Sequence, residues 1–261
     1  GKYVVAKYGG NAMTDPVLKK NVMQDILLLH LIGVNVILVH GGGPDINAML
    51  DALKIESHFE NGLRVTDKDT MDVVQMVLAG KVNKGLVAYL SALGGKAIGL
   101  CGIDGNMIQV HTKNEKLGLV GEIDHIDTGV IDSALSAGFI PVISSVGIDS
   151  HGQPHNINAD TAATKIAAAL NAECLVFMSN IDGVMQDPKD KDSLLHKLTV
   201  VETEALKKDG TINGGMIPKV DACTDAIKDG VKKVFIINGE VPHALLIELL
   251  TNEGLGTMFV E

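Results

Sequence analysis

Asn35-Val36-Ile37-Leu38-Val39-His40-Gly41-Gly42-Gly43-Pro44 is the stretch that decides the fold class. Val36 to Val39 is an unbroken, β-branched-rich apolar run, too short for a helix. It reads as a strand buried on both faces, the pattern of a parallel sheet. Three glycines end it, and Pro44 suits the first turn of a helix.

Working outward, the same alternation recurs. Residues 3–8 read as a strand ending in Gly9-Gly10. Asp15 before Pro16 is a helix start, an acid at the cap and proline at the first helical position, and the helix runs over 17–32 to Gly33. Downstream, the pattern predicts helices over 70–79 and 84–93, a strand over 97–100, hairpins over 106–126 and a strand over 139–143. Residues 147–158 read as turns, followed by a helix over 159–170. Strands over 174–178 and 233–237 enclose a long helix from Met216, and a last helix leads to 256–260. Strands alternating with helices predict an α/β fold with a central, mostly parallel sheet covered on both faces. No linker or repeat interrupts the 261 residues. The expectation is therefore two lobes on one continuous sheet, 1–172 and 173–261.

Composition narrows the partners. The formal net charge of −10 offers no basic face for a phosphate backbone, which argues against nucleic acid. No run approaches the length of a membrane span, and Lys2-Tyr3-Val4-Val5 enters a strand directly, so a cytoplasmic protein without a leader is expected. Cys101, Cys174 and Cys223 are far apart and fit neither a zinc pattern nor a disulfide framework. They read as buried small hydrophobes in a reducing compartment.

Several residues have a structural and a chemical reading. Glycines at 41–43 before a helix can bring backbone N–H groups to an anion, or can serve tight packing alone. They form neither a Walker A loop nor a full dinucleotide fingerprint. His40 reads more simply as a satisfied structural histidine than as a base. Lys7 before Gly9-Gly10 is either a solvated strand-end lysine or a cation aimed into the crevice at the carboxyl ends of the strands. Arg64, in Asn61-Gly62-Leu63-Arg64-Val65-Thr66, pairs locally or clamps a substrate carboxylate. Asn158 and Asp160 fit plain capping and dipole compensation. Lys219, in the first turn of a helix after Gly214-Gly215, sits at the wrong end of the dipole for a cation and suggests a nearby anion.

In this order, Lys7-Tyr8-Gly9-Gly10, His40-Gly41-Gly42-Gly43, Asn61 to Thr66, Asn156-Ile157-Asn158-Ala159-Asp160 and Gly214 to Lys219 resemble the amino-acid kinase family, most closely its acetylglutamate kinases. The resemblance runs from Lys7 to Met258. It implies an open αβα sandwich and the phosphorylation of N-acetyl-L-glutamate by ATP, with Mg²⁺ carried on the nucleotide, as a step of arginine biosynthesis. It further implies a homodimer, for which an apolar helix near 72–78 would suit the two-fold contact. By the resemblance, Lys7 and Lys219 neutralise the transferred phosphoryl group and Asp160 orients both lysines. Gly42, Gly43, Arg64 and Asn156 bind the acyl amino acid. Gly10, the stretch Asn180-Ile181-Asp182-Gly183-Val184-Met185 and Thr211-Ile212-Asn213 line the nucleotide. Relatives usually carry Asp where this chain has Asn180, which leaves that loop's details open.

The chemistry agrees with the residues. A carboxylate acceptor is ionised at neutral pH and needs no general base, so what transfer demands is charge neutralisation and alignment. The rival readings are a sibling kinase acting on carbamate, aspartate, glutamate or a uridine nucleotide, and a non-catalytic sensor. A sensor would need no pair of phosphoryl-directed lysines. An oxidoreductase is disfavoured by the missing third glycine of the dinucleotide pattern.

Overall fold

A computed structural model of the chain describes residues 2–187, 189–252 and 254–261. In chain order the strands are β1 (Tyr3–Tyr8), β2 (Asn35–His40), β3 (Phe59–Glu60), β4 (Leu63–Arg64), β5 (Ala97–Cys101), β6 (Ile108–Thr112), β7 (Gly121–Ile126), β8 (Ile140–Ser144), β9 (Val146–Ile148), β10 (Pro154–Asn156), β11 (Cys174–Ser179), β12 (Lys197–Thr199), β13 (Lys233–Asn238) and β14 (Thr257–Val260). The α-helices are α1 (Pro16–Leu31), α2 (Gly43–Leu53), α3 (Lys68–Gln75), α4 (Asn83–Ala92), α5 (Gly129–Ser136), α6 (Ala159–Ala169), α7 (Val200–Lys208), α8 (Met216–Lys228) and α9 (Ala244–Leu250). The class is the expected one, a mostly parallel sheet with helices on both sides.

The chain packs into two compact units, residues 1–36 with 163–261, and residues 37–162. In the first, β1, β11 and β13 run parallel in that order, with Val4 opposite Cys174 and Cys174 opposite Lys233. β14 pairs antiparallel to β13 and parallel to β12. Val5, Ala6, Leu175, Val176 and Ile236 are buried, as continuous apolar parallel strands require. α1 starts where expected, the Asp15 carboxylate accepting from the Val17 and Leu18 amides and Pro16 following.

In the second unit β2, β8 and β5 are parallel neighbours, with Leu38 opposite Val142 and Val142 opposite Gly99. A smaller sheet in the order β10-β9-β6-β7 holds the hairpin expected over 106–126. It also holds β9 and β10, within the region read as turns. Each has three residues and forms an antiparallel pair, too short for a two-residue period to show.

The second difference lies between the helices expected over 70–79 and 84–93. The backbone does not break there, because Met76–Val82 forms a π-helical segment joining α3 to α4. No proline stops the helix, and Gly80 within the segment leaves room for the wider turn. The apolar residues of the suggested dimer helix, Val73, Val74, Val77 and Leu78, are buried in this unit's own core. Asp72, Gln75, Met76, Ala79 and Gly80 instead line an open surface cavity of about 620 Å³, with Met76 58% exposed.

Candidate functional site

In the 37–162 unit, the buried strand β2 delivers Gly41-Gly42-Gly43 to the start of α2. Gly42 is the N-cap of α2, and the first amides of a helix have no partner within it. Glycine is demanded here by close approach. A Cβ on Gly42 would come within 2.7 Å of Leu78 Cδ2 and 3.2 Å of Val82 Cγ2, both from the π-helical segment. A Cβ on Gly41 would lie 3.3 Å from Ala159 Cβ, so the loop abuts the start of α6. Around Gly43 the space is open.

Arg64 is buried and held from three sides. Its Nη1 donates to Ser57 Oγ. Its Nη2 donates to Asn47 Oδ1 of α2 at 2.6 Å. Its guanidinium stacks 4.7 Å above the Phe59 ring, the partner opposite it in the β3–β4 hairpin. Burial lowers its pKa from the usual value, but a guanidinium stays charged regardless. Thr66 then ties Arg64 to Asn156. The Asn156 Nδ2 donates to Thr66 Oγ1 at 3.1 Å, and that hydroxyl donates to the Arg64 carbonyl at 2.8 Å. Gly118, at φ +65°, lets the chain pass against the Thr66 carbonyl.

Asn158 caps α6, its Oδ1 accepting from the Asp160 and Thr161 amides at 2.9 and 3.1 Å. Asp160 stands in the first turn of that helix, beside the glycine loop through Ala159.

In the other unit, the stretch from Asn180 to Met185 leaves the end of β11 and faces Thr211, Ile212 and Asn213. Together with Met216 they enclose a cavity of about 320 Å³. The walls are Ile181, Val184, Met185, Ile212 and Met216, and the polar groups are Asn180, Asp182, Thr211 and Asn213. That is the make-up of a site for a flat, largely apolar ring with a polar edge. Thr257 Oγ1 accepts from the Val184 amide at 2.8 Å. A Cβ on Gly183, at φ +152°, would strike that same hydroxyl at 2.5 Å. Asn238 Nδ2 donates to Asp182 Oδ1 at 2.7 Å. Thr211 and Ile212 are set by amide bonds to Asp209 Oδ1 and the Leu206 carbonyl.

Lys7, the penultimate residue of β1, lies opposite Phe177. Its Nζ lies 2.7 Å from where a Gly9 Cβ would be, so the side chain folds back over the Gly9 backbone. Gly10, at φ +70°, opens the 3₁₀ turn that follows. Lys219 lies on the first turn of α8, one residue past Pro218, with no acid in that turn. Lys7, Gly10 and Lys219 thus belong to the unit with the cavity, and Gly42, Gly43, Arg64, Asn156 and Asp160 to the other.

Asn47, Ser57 and Phe59, which hold Arg64, were not singled out from sequence, and Thr66 and the cavity residue Met216 lay in the motif stretches without an assigned role. Among the described residues, no three acidic, histidine or cysteine side chains converge as a metal site.

Residues 2–238 match the model of the amino acid kinase family. The chain is 52% identical over 261 residues to the acetylglutamate kinase of Brachyspira hyodysenteriae, covering 99% of this chain and 91% of that one. It is 50% identical to that of Thermosynechococcus vestitus, covering 100% and 88%. Among solved structures, smu.665 from Streptococcus mutans UA159 superposes with a TM-score of 0.82 at 30% identity, covering 99% of this chain and 98% of that one.

Proposed function

The chain belongs to the amino acid kinase family, and from that premise we propose that it transfers the γ-phosphoryl group of ATP to the side-chain carboxylate of N-acetyl-L-glutamate, giving N-acetyl-L-glutamate 5-phosphate and ADP. The observation that carries the choice of acceptor is the company Arg64 keeps. Asn47, Ser57, Phe59 and Thr66, which hold Arg64 and Asn156, are all neutral. The guanidinium's charge is therefore available to an α-carboxylate, and the Asn156 amide offers a donor and an acceptor to the N-acetyl group. Those neutral partners give no countercharge to the ammonium that free glutamate would bring.

Gly42 and Gly43 present helix-start amides to the acceptor, while the cavity of 180–185 and 211–213 takes adenine, with Gly10 on the nucleotide side. Lys7 and Lys219 neutralise charge on the transferred group, and Asp160 completes the catalytic set. The acceptor carboxylate attacks phosphorus, the bond to the bridging oxygen breaks, and ADP leaves with that electron pair. The nucleophile is already ionised, so no protein group removes a proton. Mg²⁺, bound with the nucleotide, would offset the charge of its phosphates. The acyl amino acid and dimerisation are assigned chiefly to residues 1–172 and the nucleotide to 173–261, with Gly10 as the nucleotide-side residue contributed from the first stretch. A cytoplasmic homodimer is proposed, its contact centred on exposed Met76. Among the described residues no helix is long and apolar enough to cross a membrane.

The test is ADP release with N-acetylglutamate, glutamate, aspartate, carbamate and UMP as acceptors. N-acetylglutamate is expected to exceed glutamate by a factor of about 10², because an unpaired buried charge costs several kcal/mol. If glutamate or carbamate is preferred, the assignment of the acceptor fails.

A further inference from the structure

We propose that His40 and Asn83 act as a positioning pair that fixes the Gly41–Gly42 peptide, and through it the direction of the Gly42 N–H toward the acceptor. This rests on the proposed role of the glycine loop in holding the acceptor. His40 is fully buried at the end of β2, and its Nδ1 lies 2.8 Å from the Gly41 carbonyl oxygen. A carbonyl only accepts, so Nδ1 carries the proton. Nε2 then faces the Asn83 Nδ2 at 3.1 Å as an acceptor. Burial lowers the ring's pKa to about 4, so at neutral pH the ring is uncharged, and its two partners select the Nδ1–H tautomer.

The consequence for the loop follows from peptide geometry. A trans peptide is planar, with its C=O and N–H pointing to opposite sides. Holding the Gly41 oxygen against His40 therefore turns the Gly42 N–H away from the ring, toward the side where the start of α2 meets an anion. With no side chain on either glycine, little else restrains that plane.

Asn83 is placed for this by the π-helical segment that ends just before it. The same segment brings Leu78 and Val82 against Gly42. Asn83 Nδ2 also donates to the Val142 carbonyl at 2.9 Å and lies 3.3 Å from the Leu100 carbonyl. The amide thus ties His40 to β8 and β5, the two strands that continue the sheet from β2 within this unit. Three acceptors around Nδ2 fix the orientation of the amide, because a flip would set its oxygen against all of them. Gly99 clears the space, since a Cβ there would collide with Asn83 Oδ1. Among the described residues that oxygen is buried without a hydrogen-bond partner, a cost that an apolar side chain at this position would avoid.

Two substitutions separate the two bonds of the ring. His40→Asn keeps a donor near the Nδ1 position and loses the partner of Asn83. His40→Gln keeps a group near Nε2 and loses the donor to Gly41. The expected result is a KM for N-acetylglutamate about tenfold higher in His40→Gln, with the KM for ATP within about twofold and His40→Asn within about threefold of wild type, the scale of one hydrogen bond. Equal losses in both variants, no loss in either, or an ATP KM that rises in step would overturn the proposal. The wild-type protein provides a second measurement, whether or not the variants fold. Imidazole nitrogen shifts must report a protonated Nδ1 and a bare Nε2 at neutral pH, and an Nε2–H tautomer overturns the proposal. If the wild type does not phosphorylate N-acetylglutamate, the functional reading fails separately. The variant split is then read on whichever acceptor of the panel is used.

Discussion

Arg64 and the 180–185 cavity, one in each unit, achieve recognition by different means. The guanidinium is gripped by Asn47, Ser57 and the Phe59 ring, and its carbonyl is tied through Thr66 to Asn156. The cavity is walled by Ile181, Val184, Met185 and Met216, and much of its shape is set by backbone bonds such as Val184 to Thr257. The contrast follows from the proposed ligands. A small anion is recognised through a few charged groups, whose geometry must be fixed beforehand. A purine ring is recognised through area and shape, which tolerate small shifts. Substitutions near Arg64 should therefore act on one KM in large, specific steps, and substitutions in the cavity in small, graded ones.

The largest expected effect belongs to neither recognition region. Lys219 is proposed to meet charge that develops during transfer, so Lys219→Ala should lower turnover by about 10²–10³, with little change in either KM. Single-turnover ADP formation measures this directly. Near-normal turnover would remove Lys219 from the chemistry and leave recognition as the whole of the catalytic account.

Arg64→Ala comes next. Losing a charged, partly desolvated clamp should raise the KM for N-acetylglutamate by about 10², from charge-assisted hydrogen bonds of roughly 1.5–3 kcal/mol. The ATP KM should stay where it is. If both KM values rose together, the two regions would be coupled and the contrast drawn between them would fail.

A pair of milder substitutions sharpens the contrast. Asn47→Ala removes one neutral tether from the guanidinium and should raise the acceptor KM by a factor of about 3–10, one ordinary hydrogen bond. Met216→Ala trims the wall of the cavity, and with burial worth about 0.8 kcal/mol per CH₂ and the side chain only partly buried, it should raise the ATP KM by a smaller factor of about 2–4. Each should leave the other KM unmoved. A crossed result would exchange the proposed roles of the two regions.

What the sequence made legible follows the same division. The run from Asn35 to Pro44 announced strand, glycine loop and helix because each signal is local and strong. Arg64 and the two lysines stood out because charge in an apolar or turn context is unusual. Asn47, Ser57, Thr66 and Asn83 did not, since a small polar residue on a helix or loop looks the same whether it faces solvent or a buried guanidinium. Their roles arise from contacts across 7 to 90 positions of sequence, which no local period encodes. The π-helical segment was hidden for a related reason. Met76–Val82 carries a glycine that reads equally well as a helix end, and the extra residue in its turn shows only through what Leu78, Val82 and Asn83 touch. Met216 was passed over as the first residue of a helix whose lysine drew attention.

The smallest effect concerns the framework below the nucleotide cavity. α7 begins with a capping box, in which the Thr199 Oγ1 accepts from the Glu202 amide while the Glu202 carboxylate accepts from the Thr199 amide. The far end of α7 anchors Ile212 through the Leu206 carbonyl. Thr199→Ala should cost about 1 kcal/mol, the usual worth of an N-cap, and lower the Tm by about 2–4 °C in a chain of this size. The ATP KM should not follow, because the loss falls at the opposite end of the helix from Ile212. The pH dependence has a definite sign. The Thr199 N–H and hydroxyl hold the Glu202 carboxyl below its ordinary range, so its stabilisation is complete above the unfolded pKa and fades as pH falls through the lower folded value. The Tm gap between wild type and Glu202→Gln should accordingly be steady at neutral pH and close only in acid, as calorimetry across pH would record. An ATP KM that tracked the Tm of Thr199→Ala would mean that the nucleotide side is as finely positioned as the surroundings of Arg64, and the difference between the two regions would then be one of chemistry alone.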